Sequence, residues 1–337
     1  MRLTSESVEP LRWSELADLA MGEPDRVEGP TNAQATLRLF GQPESCVMVT
    51  LYRDHHAWCP YCQKIWLWLE FKRIPYRIRK VTMRCYGPKE PWFLKKVPSG
   101  MLPALELNGH LITESDDILL ALEQQFGPLG MAMTAPEALE LRRLERLLFQ
   151  AWCIWLCSPR LSPRQQGLAR EQFRGIAQRF ESELMRVDGP WLRGREPQTV
   201  DLIFVPYVER MNASLAYYKG YRLRAEHPAI DRWFRALEQL DTYRGTQSDF
   251  HTHAHDLPPQ MGGCWSDDGA EAQRLAEQID RGDGLGEDEG CWDGVNQTDQ
   301  AAIALGRVLR INWVRAQRRG WSKASAPMGF TSLNRCW

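Results

Sequence analysis

HHAWCPYCQKIWLWLEF, residues 55–71, sets two cysteines at the start of a segment that is apolar on nearly every side. Proline is favoured at the first position of a helix, so Pro60 predicts a helix that begins there with Cys59 as its N-cap. Cys62 then lies one turn into the helix, on the same edge. Unpaired backbone N–H groups and the positive end of the helix dipole would stabilise a thiolate at Cys59. The pattern therefore favours Cys59 as a nucleophile and Cys62 as its resolving thiol.

Two other interpretations of the cysteine pair carry less weight. A closed zinc site needs four ligands, and the chain has no second Cys-x-x-Cys. His55 and His56 precede the pair too closely to complete a tetrahedron. Two inert buried thiols are a common arrangement, because free cysteine behaves as a small hydrophobe, but the N-cap position argues against it. We therefore predict a redox pair and no metal site.

The composition sets limits on the partners and the compartment. The 337 residues, 43% of them hydrophobic, predict two domains and a third segment. A net charge of −1 argues against nucleic acid as a partner. No segment approaches the roughly 20 apolar residues that span a bilayer, so we expect no membrane insertion. Nine cysteines without a small-scaffold spacing indicate thiols in a reducing compartment, the cytoplasm or, in a eukaryotic phototroph, the chloroplast stroma.

The segments around the cysteine pair predict an α/β domain over residues 46–127, preceded by a surface arm over residues 1–45. The dipeptide Asn108-Gly109 is the strongest short hairpin signal in this range. A helix is expected to follow the hairpin and to stop at Gly127-Pro128. Four segments have strand patterns: VMVTLY (47–52), YRIRKV (76–81), LPALEL (102–107) and HLIT (110–113).

The second half of the chain is predicted to be helical. After a linker at residues 128–136, apolar residues recur at three and four positions through about residue 243. This pattern predicts an all-α domain over residues 137–245. Residues 246–337 form a C-terminal extension of unknown role, glycine- and acid-rich, in which Cys-Trp recurs three times. We expect the extension to be partly helical, with order at least over residues 298–320.

Three further features of the sequence contain reactive side chains. In HTHAH an extended backbone would place His251, His253 and His255 on one side, but a polar loop is favoured over a metal site. Cys153 and Cys157 lie one turn apart on an apolar helix, which predicts either core packing or the lining of an acceptor pocket. Cys85 follows the second predicted strand and is expected to be an exposed thiol.

VPSGMLPALELNGHLITESDDILLAL, residues 97–122, resembles the glutathione-binding segment of cytosolic glutathione transferases almost end to end. The resemblance covers residues 46–243 and implies a thioredoxin-like domain with a mixed four-stranded sheet, followed by the family's all-α domain. A cysteine at the start of the first helix, with EPWFLKK before the proline turn, is most similar to the omega and dehydroascorbate-reductase types. The complete Cys-Pro-Tyr-Cys, the long arm and the extension resemble the iota class of photosynthetic organisms.

The resemblance also implies a glutathione-binding site. Leu102-Pro103 matches a cis-proline position, whose preceding backbone pairs with the cysteine of glutathione, and an X-Pro bond is where a cis peptide costs least. Glu114 and Ser115 match the pair that holds the γ-glutamyl end. Ser115 at a helix N-terminus suits the carboxylate, while Glu114 can pair with the ammonium. Lys89 matches the lysine that meets the glycine carboxylate in omega-type enzymes.

The function implied is that of a glutathione-dependent thiol transferase or reductase, with glutathione as cosubstrate. The Cys59 thiolate would attack a glutathione mixed disulfide or reduce an oxidised acceptor such as dehydroascorbate. A second glutathione, or Cys62, would then release the adduct. Small disulfides and glutathionylated proteins are the other candidate acceptors. The alternative is a non-catalytic protein that binds an aromatic or tetrapyrrole ligand between its domains and docks its tail on a partner.

Overall fold

The computed structural model describes residues 25–281 with the exception of Asp249. Its first domain is built on a mixed sheet whose strand order is β1-β3-β2-β4-β5. The strands β2 and β3 are parallel, and the other neighbours are antiparallel. Their bounds are β1 Leu37–Arg38, β2 Val49–Asp54, β3 Tyr76–Val81, β4 Ala104–Leu107 and β5 His110–Thr113. This sheet confirms the thioredoxin-like fold that the resemblance implied.

Among the described residues, three α-helices accompany the sheet: α1 Pro60–Phe71, α2 Pro91–Lys96 and α3 Ser115–Phe126. Helix α1 connects the two parallel strands β2 and β3. Parallel neighbours need such a crossover connection, which is usually a helix. Trp66 and Trp68, on different sides of α1, are both almost fully buried. Each such side chain stabilises the fold by about 1.5–3 kcal/mol relative to an exposed one. Helix α1 is therefore enclosed on both sides, as its apolar sequence predicts.

The prediction of four strands was wrong, because residues assigned to the surface arm add a fifth. Leu37 and Arg38 pair with Arg77 and Tyr76 of β3. The buried Arg38 guanidinium reaches the Glu70 carboxylate at 2.8 Å. A buried ion pair therefore fastens this edge strand to α1. Two residues are too few for strand periodicity to show in a sequence.

Seven helices follow in the next described segment: α4 Pro136–Cys157, α5 Pro163–Leu184, α6 Thr199–Leu202, α7 Val205–Lys219, α8 Leu223–Glu226, α9 Pro228–Leu237 and α10 Asp241–Thr246. Helix α7 is the central one, with nearly all of its side chains buried. The fully buried Asp201 of α6 accepts hydrogen bonds from the backbone N–H of Leu192 and Gln198, and from Trp233 Nε1. These bonds satisfy the carboxylate and fix the start of the buried helical segment.

The described part of the extension is helical and packs on α7. Its helices are α11 Phe250–Met261 and α12 Ala270–Asp280. HTHAH lies inside α11, so the prediction of a polar loop there was wrong. Phe250, Ala254 and Leu257 recur at helical spacing and are buried, which accounts for the helix. The expected order over residues 298–320 lies outside the described residues, and within those described no helix is long and apolar enough to cross a membrane.

Candidate active site at the cysteine cleft

Cys59 occupies the N-cap of α1, as the sequence predicts. Its backbone is extended, with φ −75° and ψ 116°, and the backbone N–H of Cys62 points at Cys59 Sγ over 3.4 Å. Cys59 is 6% exposed and Cys62 is 1% exposed. An N–H donor and the positive end of the helix dipole at the same sulfur both favour negative charge there. The geometry suits Cys59 for attack on an electrophilic sulfur.

A cleft of about 1030 Å³ opens in front of Cys59 between the first domain and the helical domain. Its walls include most of the residues predicted to bind glutathione or to react with it. These are Cys59, Lys89, Leu102, Pro103, Glu114 and Ser115. Cys62 is absent from the wall, because it lies behind Cys59 in the protein interior. From this position the Cys62 thiol could attack an adduct on Cys59 from the protein interior, while the ligand occupies the cleft.

The wall facing Cys59 contains two unusual backbone positions. The Leu102-Pro103 peptide is cis, as the resemblance implied. Glu114, which precedes α3, has φ 64° and ψ 119°. A residue other than glycine held at positive φ costs on the order of 1–3 kcal/mol, and such positions cluster where ligands bind. Ser115 follows as the first residue of α3 and is buried, so its backbone N–H stands at the helix N-terminus beside Glu114.

Lys89 is half-buried at the edge of the same cleft. Its Nζ donates to the Thr82 carbonyl oxygen at 2.8 Å. Burial lowers the pKa of Lys89, while negative charge on Cys62 and Cys59 acts to raise it. The ammonium therefore lies within electrostatic reach of both thiols, and it can turn from the carbonyl to an anionic ligand.

Asp54, at the end of β2, is a buried acid that sequence reasoning missed. One of its oxygens accepts the Trp58 N–H at 2.7 Å. A carboxylate oxygen of Asp54 and the sulfurs of Cys59 and Cys62 lie within 4.8 Å of one another. Burial raises the pKa of the Cys62 thiol, and Cys59 and the Asp54 charge raise it further. The three groups could also hold a thiophilic ion, although a closed zinc site would need a fourth ligand.

A second charged group in the cleft wall joins the first domain to helix α4. Lys64 Nζ donates to Asp116 at 2.7 Å, and Arg142 pairs with the other Asp116 oxygen. Burial acts to raise the pKa of Asp116, but these two cations hold it at about 2. The carboxylate therefore stays charged at neutral pH and orders both basic side chains. In the sequence, the position of Asp116 directly after Glu114-Ser115 was the signal that this acid lies in the cleft.

The matched family model covers this part of the chain. Residues 58–125 match the model described as "Glutathione S-transferase, N-terminal domain", a range that includes α1, the cis-proline turn and nearly all of α3. Over these residues the chain is similar to the glutathione S-transferase family. Among its relatives, glutathione S-transferase DHAR2 of Arabidopsis thaliana is 24% identical over 190 residues, which make up 56% of this chain and 84% of that protein.

Solved structures support the transferase fold. Dehydroascorbate reductase of Chlamydomonas reinhardtii aligns with a TM-score of 0.54 and 18% identity, over 63% of this chain and 98% of that one. The trimeric glutathione transferase TDR1 of Leishmania gives a TM-score of 0.53 and 21% identity over 69% of this chain. This chain spans about half, 48%, of the length of TDR1. The resemblance to the iota class stays a prediction.

The loop before Cys59 is held in place by a buried arginine that sequence reasoning also missed. Arg210 of α7 donates to the Trp58 carbonyl oxygen at 2.7 Å and to Gln63 of α1 at 2.9 Å. Gln63 in turn donates to Glu209 at 3.1 Å, and Glu209 contacts His253 of α11. Helix α1 is therefore positioned by side chains from both the helical domain and the C-terminal extension.

The other cysteines divide between the cleft and the core. Cys85, predicted to be exposed, is partly buried and lines the cleft wall. Cys157 is buried in the core, and Cys153 packs against it from the same helix. Burial raises the pKa of Cys153 well above its usual range. Neither lines the cleft, so core packing describes them better than an acceptor pocket.

Proposed function

We propose that the chain is a glutathione-dependent thiol transferase or reductase in which Cys59 carries the sulfur chemistry. One observation carries the proposal: Cys59, at the N-cap of α1, shares a cleft with the cis Leu102-Pro103 peptide and with Glu114. The relatives named glutathione S-transferase and dehydroascorbate reductase support it. A reducing compartment, the cytoplasm or the chloroplast stroma, supplies the reduced glutathione that such a reaction consumes.

In the proposed binding mode, each end of glutathione meets a different group of the cleft wall. The γ-glutamyl carboxylate would lie at the N-terminus of α3, beside Ser115, where unpaired N–H groups and the helix dipole favour an anion. Glu114 would pair with the ammonium of the same γ-glutamyl residue. The backbone of Leu102 would pair with the cysteine of glutathione, and Lys89 would meet the glycine carboxylate. The glutathione sulfur then faces Cys59.

The proposed reaction proceeds by two thiol–disulfide exchanges. The Cys59 thiolate attacks the glutathione sulfur of a mixed disulfide, so that a Cys59–glutathione bond forms and the acceptor leaves as a thiolate that takes up a proton. A second glutathione, as thiolate, then attacks the glutathione sulfur of the adduct. Oxidised glutathione leaves, and the Cys59 thiolate is restored. Alternatively, Cys62 attacks Cys59 Sγ, releases reduced glutathione and leaves a Cys59–Cys62 disulfide.

The acceptor would occupy the part of the cleft contributed by α4. Arg146 lies over the rings of Phe149 and Tyr207, at 4.8 and 4.9 Å, and pairs with the adjacent Glu145. Arg142 stands nearby on the same helix and lines the same cleft. Ordered guanidinium groups beside aromatic rings suit a polar or anionic acceptor. Small disulfides, dehydroascorbate and glutathionylated peptides all meet this description.

Mass spectrometry after incubation with oxidised glutathione tests the proposal. We expect the wild-type protein to gain one glutathione on Cys59 or to form the Cys59–Cys62 disulfide, both removable by excess reduced glutathione. Cys62→Ser should accumulate the adduct, because the resolving thiol is gone, and Cys59→Ser should form none. Cys46→Ser is the control, since Cys46 is an exposed cysteine outside the cleft. A folded wild-type protein that gains neither a Cys59 adduct nor the Cys59–Cys62 disulfide would favour the non-catalytic binding protein.

A further inference from the structure

Two histidines of α11 and one aspartate of α12 meet where the extension folds on itself. We propose that His251, His255 and Asp280 form a binding site for a divalent transition-metal ion of the zinc type. One ligand atom from each residue lies within 4.8 Å of the other two. None of the three residues lines the cysteine cleft, so this site is separate from the proposed thiol chemistry.

The helical backbone creates the histidine pair. At 100° per residue, positions four apart lie on nearly the same face, while a position two away points to another side. The rings of His251 and His255 accordingly lie 4.3 Å apart, centroid to centroid. His253 turns away and contacts Glu209 instead. The three histidines therefore split into a pair that faces α12 and a single residue that faces α7.

The distance between His255 and Asp280 suits a tetrahedral ion after a small adjustment. Zinc binds imidazole nitrogen and carboxylate oxygen at about 2.0–2.2 Å, so neighbouring ligand atoms of a tetrahedron lie about 3.4 Å apart. His255 Nε2 and Asp280 Oδ1 are 2.8 Å apart. A bound ion would increase this distance by roughly half an ångström, which side-chain rotation can accommodate. This pair of ligands is thus close to the spacing that a bound ion requires.

A neighbouring tyrosine orients the aspartate. Tyr217 of α7 donates its hydroxyl to Asp280 Oδ2 at 3.4 Å, which leaves Oδ1 directed at His255. The ring of Tyr217 also packs edge-on against His255, with 5.0 Å between centroids. Metal-binding carboxylates and imidazoles are characteristically held by such outer groups. The tyrosine therefore fixes two of the three ligands.

Burial and donor chemistry indicate the kind of ion. His251 is 5% exposed, whereas the His255 side chain is 24% exposed, so solvent can supply a fourth ligand on one side only. Two imidazoles and one carboxylate match zinc and its first-row neighbours, while magnesium and calcium prefer oxygen alone. Within residues 25–281, apart from Asp249, the other cluster of this kind contains thiols: Asp54, Cys59 and Cys62.

Cobalt titration of the full-length protein, stripped with a chelator, tests the site. Co²⁺ reports its ligands by colour, because thiolate ligands add a strong near-ultraviolet band that nitrogen and oxygen ligands lack. We expect wild type to bind one more equivalent of Co²⁺ than His251→Gln/His255→Gln, with a tetrahedral visible spectrum and no thiolate band for that equivalent. Zn²⁺ should displace it. His110→Gln, which removes an exposed histidine of β5, is the matched control and should behave as wild type.

Thermal stability gives a second measure of metal binding, and a more conservative variant is included in case the double variant misfolds. Zn²⁺ that binds only the folded state should raise the melting temperature of wild type and His110→Gln but not that of the double variant. Asp280→Asn keeps the size of the side chain and an acceptor for His255, so it should fold and still lose the extra equivalent. Equal stoichiometry in all four proteins, or a thiolate band on the extra ion, would overturn the proposal.

Discussion

Two clusters of the described chain each bring three reactive side chains within 4.8 Å, and they differ in their surroundings. Asp54, Cys59 and Cys62 lie at the N-terminus of a helix that faces a large cleft, opposite a cis peptide and a strained glutamate. His251, His255 and Asp280 lie between two helices with one partly open side. Short distances alone therefore do not define the chemistry of a cluster. Soft thiols beside a ligand cleft suit sulfur exchange, and imidazoles with a carboxylate suit a metal ion.

The clusters also differ in how they are assembled. Cys59 and Cys62 belong to one helical turn, so their proximity is a property of the local sequence. The histidine pair is equally local, but Asp280 comes from a second helix 25 positions later. The first cluster can be read from a motif, whereas the second needs the packing of α11 against α12.

The largest expected effect separates the two clusters completely. Cys59→Ser should lower deglutathionylation by at least about 100-fold, because the attacking thiolate is lost. It should leave the extra Co²⁺ equivalent of the histidine site unchanged. His251→Gln/His255→Gln should instead lose the extra Co²⁺ equivalent and keep its deglutathionylation activity. Turnover with a glutathionylated peptide, measured beside Co²⁺ stoichiometry, checks both. Near wild-type turnover in Cys59→Ser would contradict the proposed mechanism.

A smaller effect is expected at the far wall of the cleft. Glu114→Ala should weaken glutathione binding by on the order of 1–3 kcal/mol, or about 5- to 150-fold, because the ligand ammonium loses its charged partner. Calorimetric titration of Cys59→Ser with glutathione, with and without Glu114→Ala, measures the change without turnover. Asp117→Ala is the control, since Asp117 is an exposed acid of the same helical turn outside the cleft. Equal affinities would place the glutathione site elsewhere.

The smallest effect concerns the acid beside the thiols. Burial, the Cys59 thiol and the Asp54 charge all raise the pKa of Cys62. Asp54→Asn removes a negative charge that disfavours the Cys62 thiolate, so the pKa of Cys62 should fall. The alkylation rate of Cys62 against pH, measured in a Cys59→Ser background with and without Asp54→Asn, reports this. Its midpoint should move to lower pH, and an unchanged or higher midpoint would show that the Asp54 charge does not act on Cys62.

Features that depend on neighbouring residues were predicted from the sequence, and features that depend on distant contacts were missed. The N-cap at Cys59 depends on the next few residues, and so does the hairpin at Asn108-Gly109, whose residues have φ of 52° and 80°. Both were predicted correctly. Edge strand β1 and helix α11 were missed. The strand depends on the distant Arg38–Glu70 pair, and the helix on burial of its apolar face against α7.

The candidate site shows the same division. The cis-proline and the residues Glu114 and Ser115 were recognised through a continuous resemblance, and the structure places them in one cleft. Asp54 and Arg210 were not recognised, because their roles depend on atoms brought together by folding. For Asp54 a local signal existed: an acid just beyond the end of a predicted strand, separated from the cysteine pair only by residues 55–58. HTHAH also contained a local signal, because its outer histidines, His251 and His255, have the four-residue spacing of a helical metal-binding pair.

Arg210 has a consequence for the cooperativity of folding. Its bonds to Trp58 and Gln63, and the Glu209 contact to His253, join helices α1, α7 and α11 through buried polar groups. If one helix opened, it would leave charged groups of the others desolvated and unpaired, at a cost of several kcal/mol. Local opening of any one helix is therefore suppressed. The backbone amides of these helices should exchange with solvent as a single unit, although they span three segments that the sequence presents as separate.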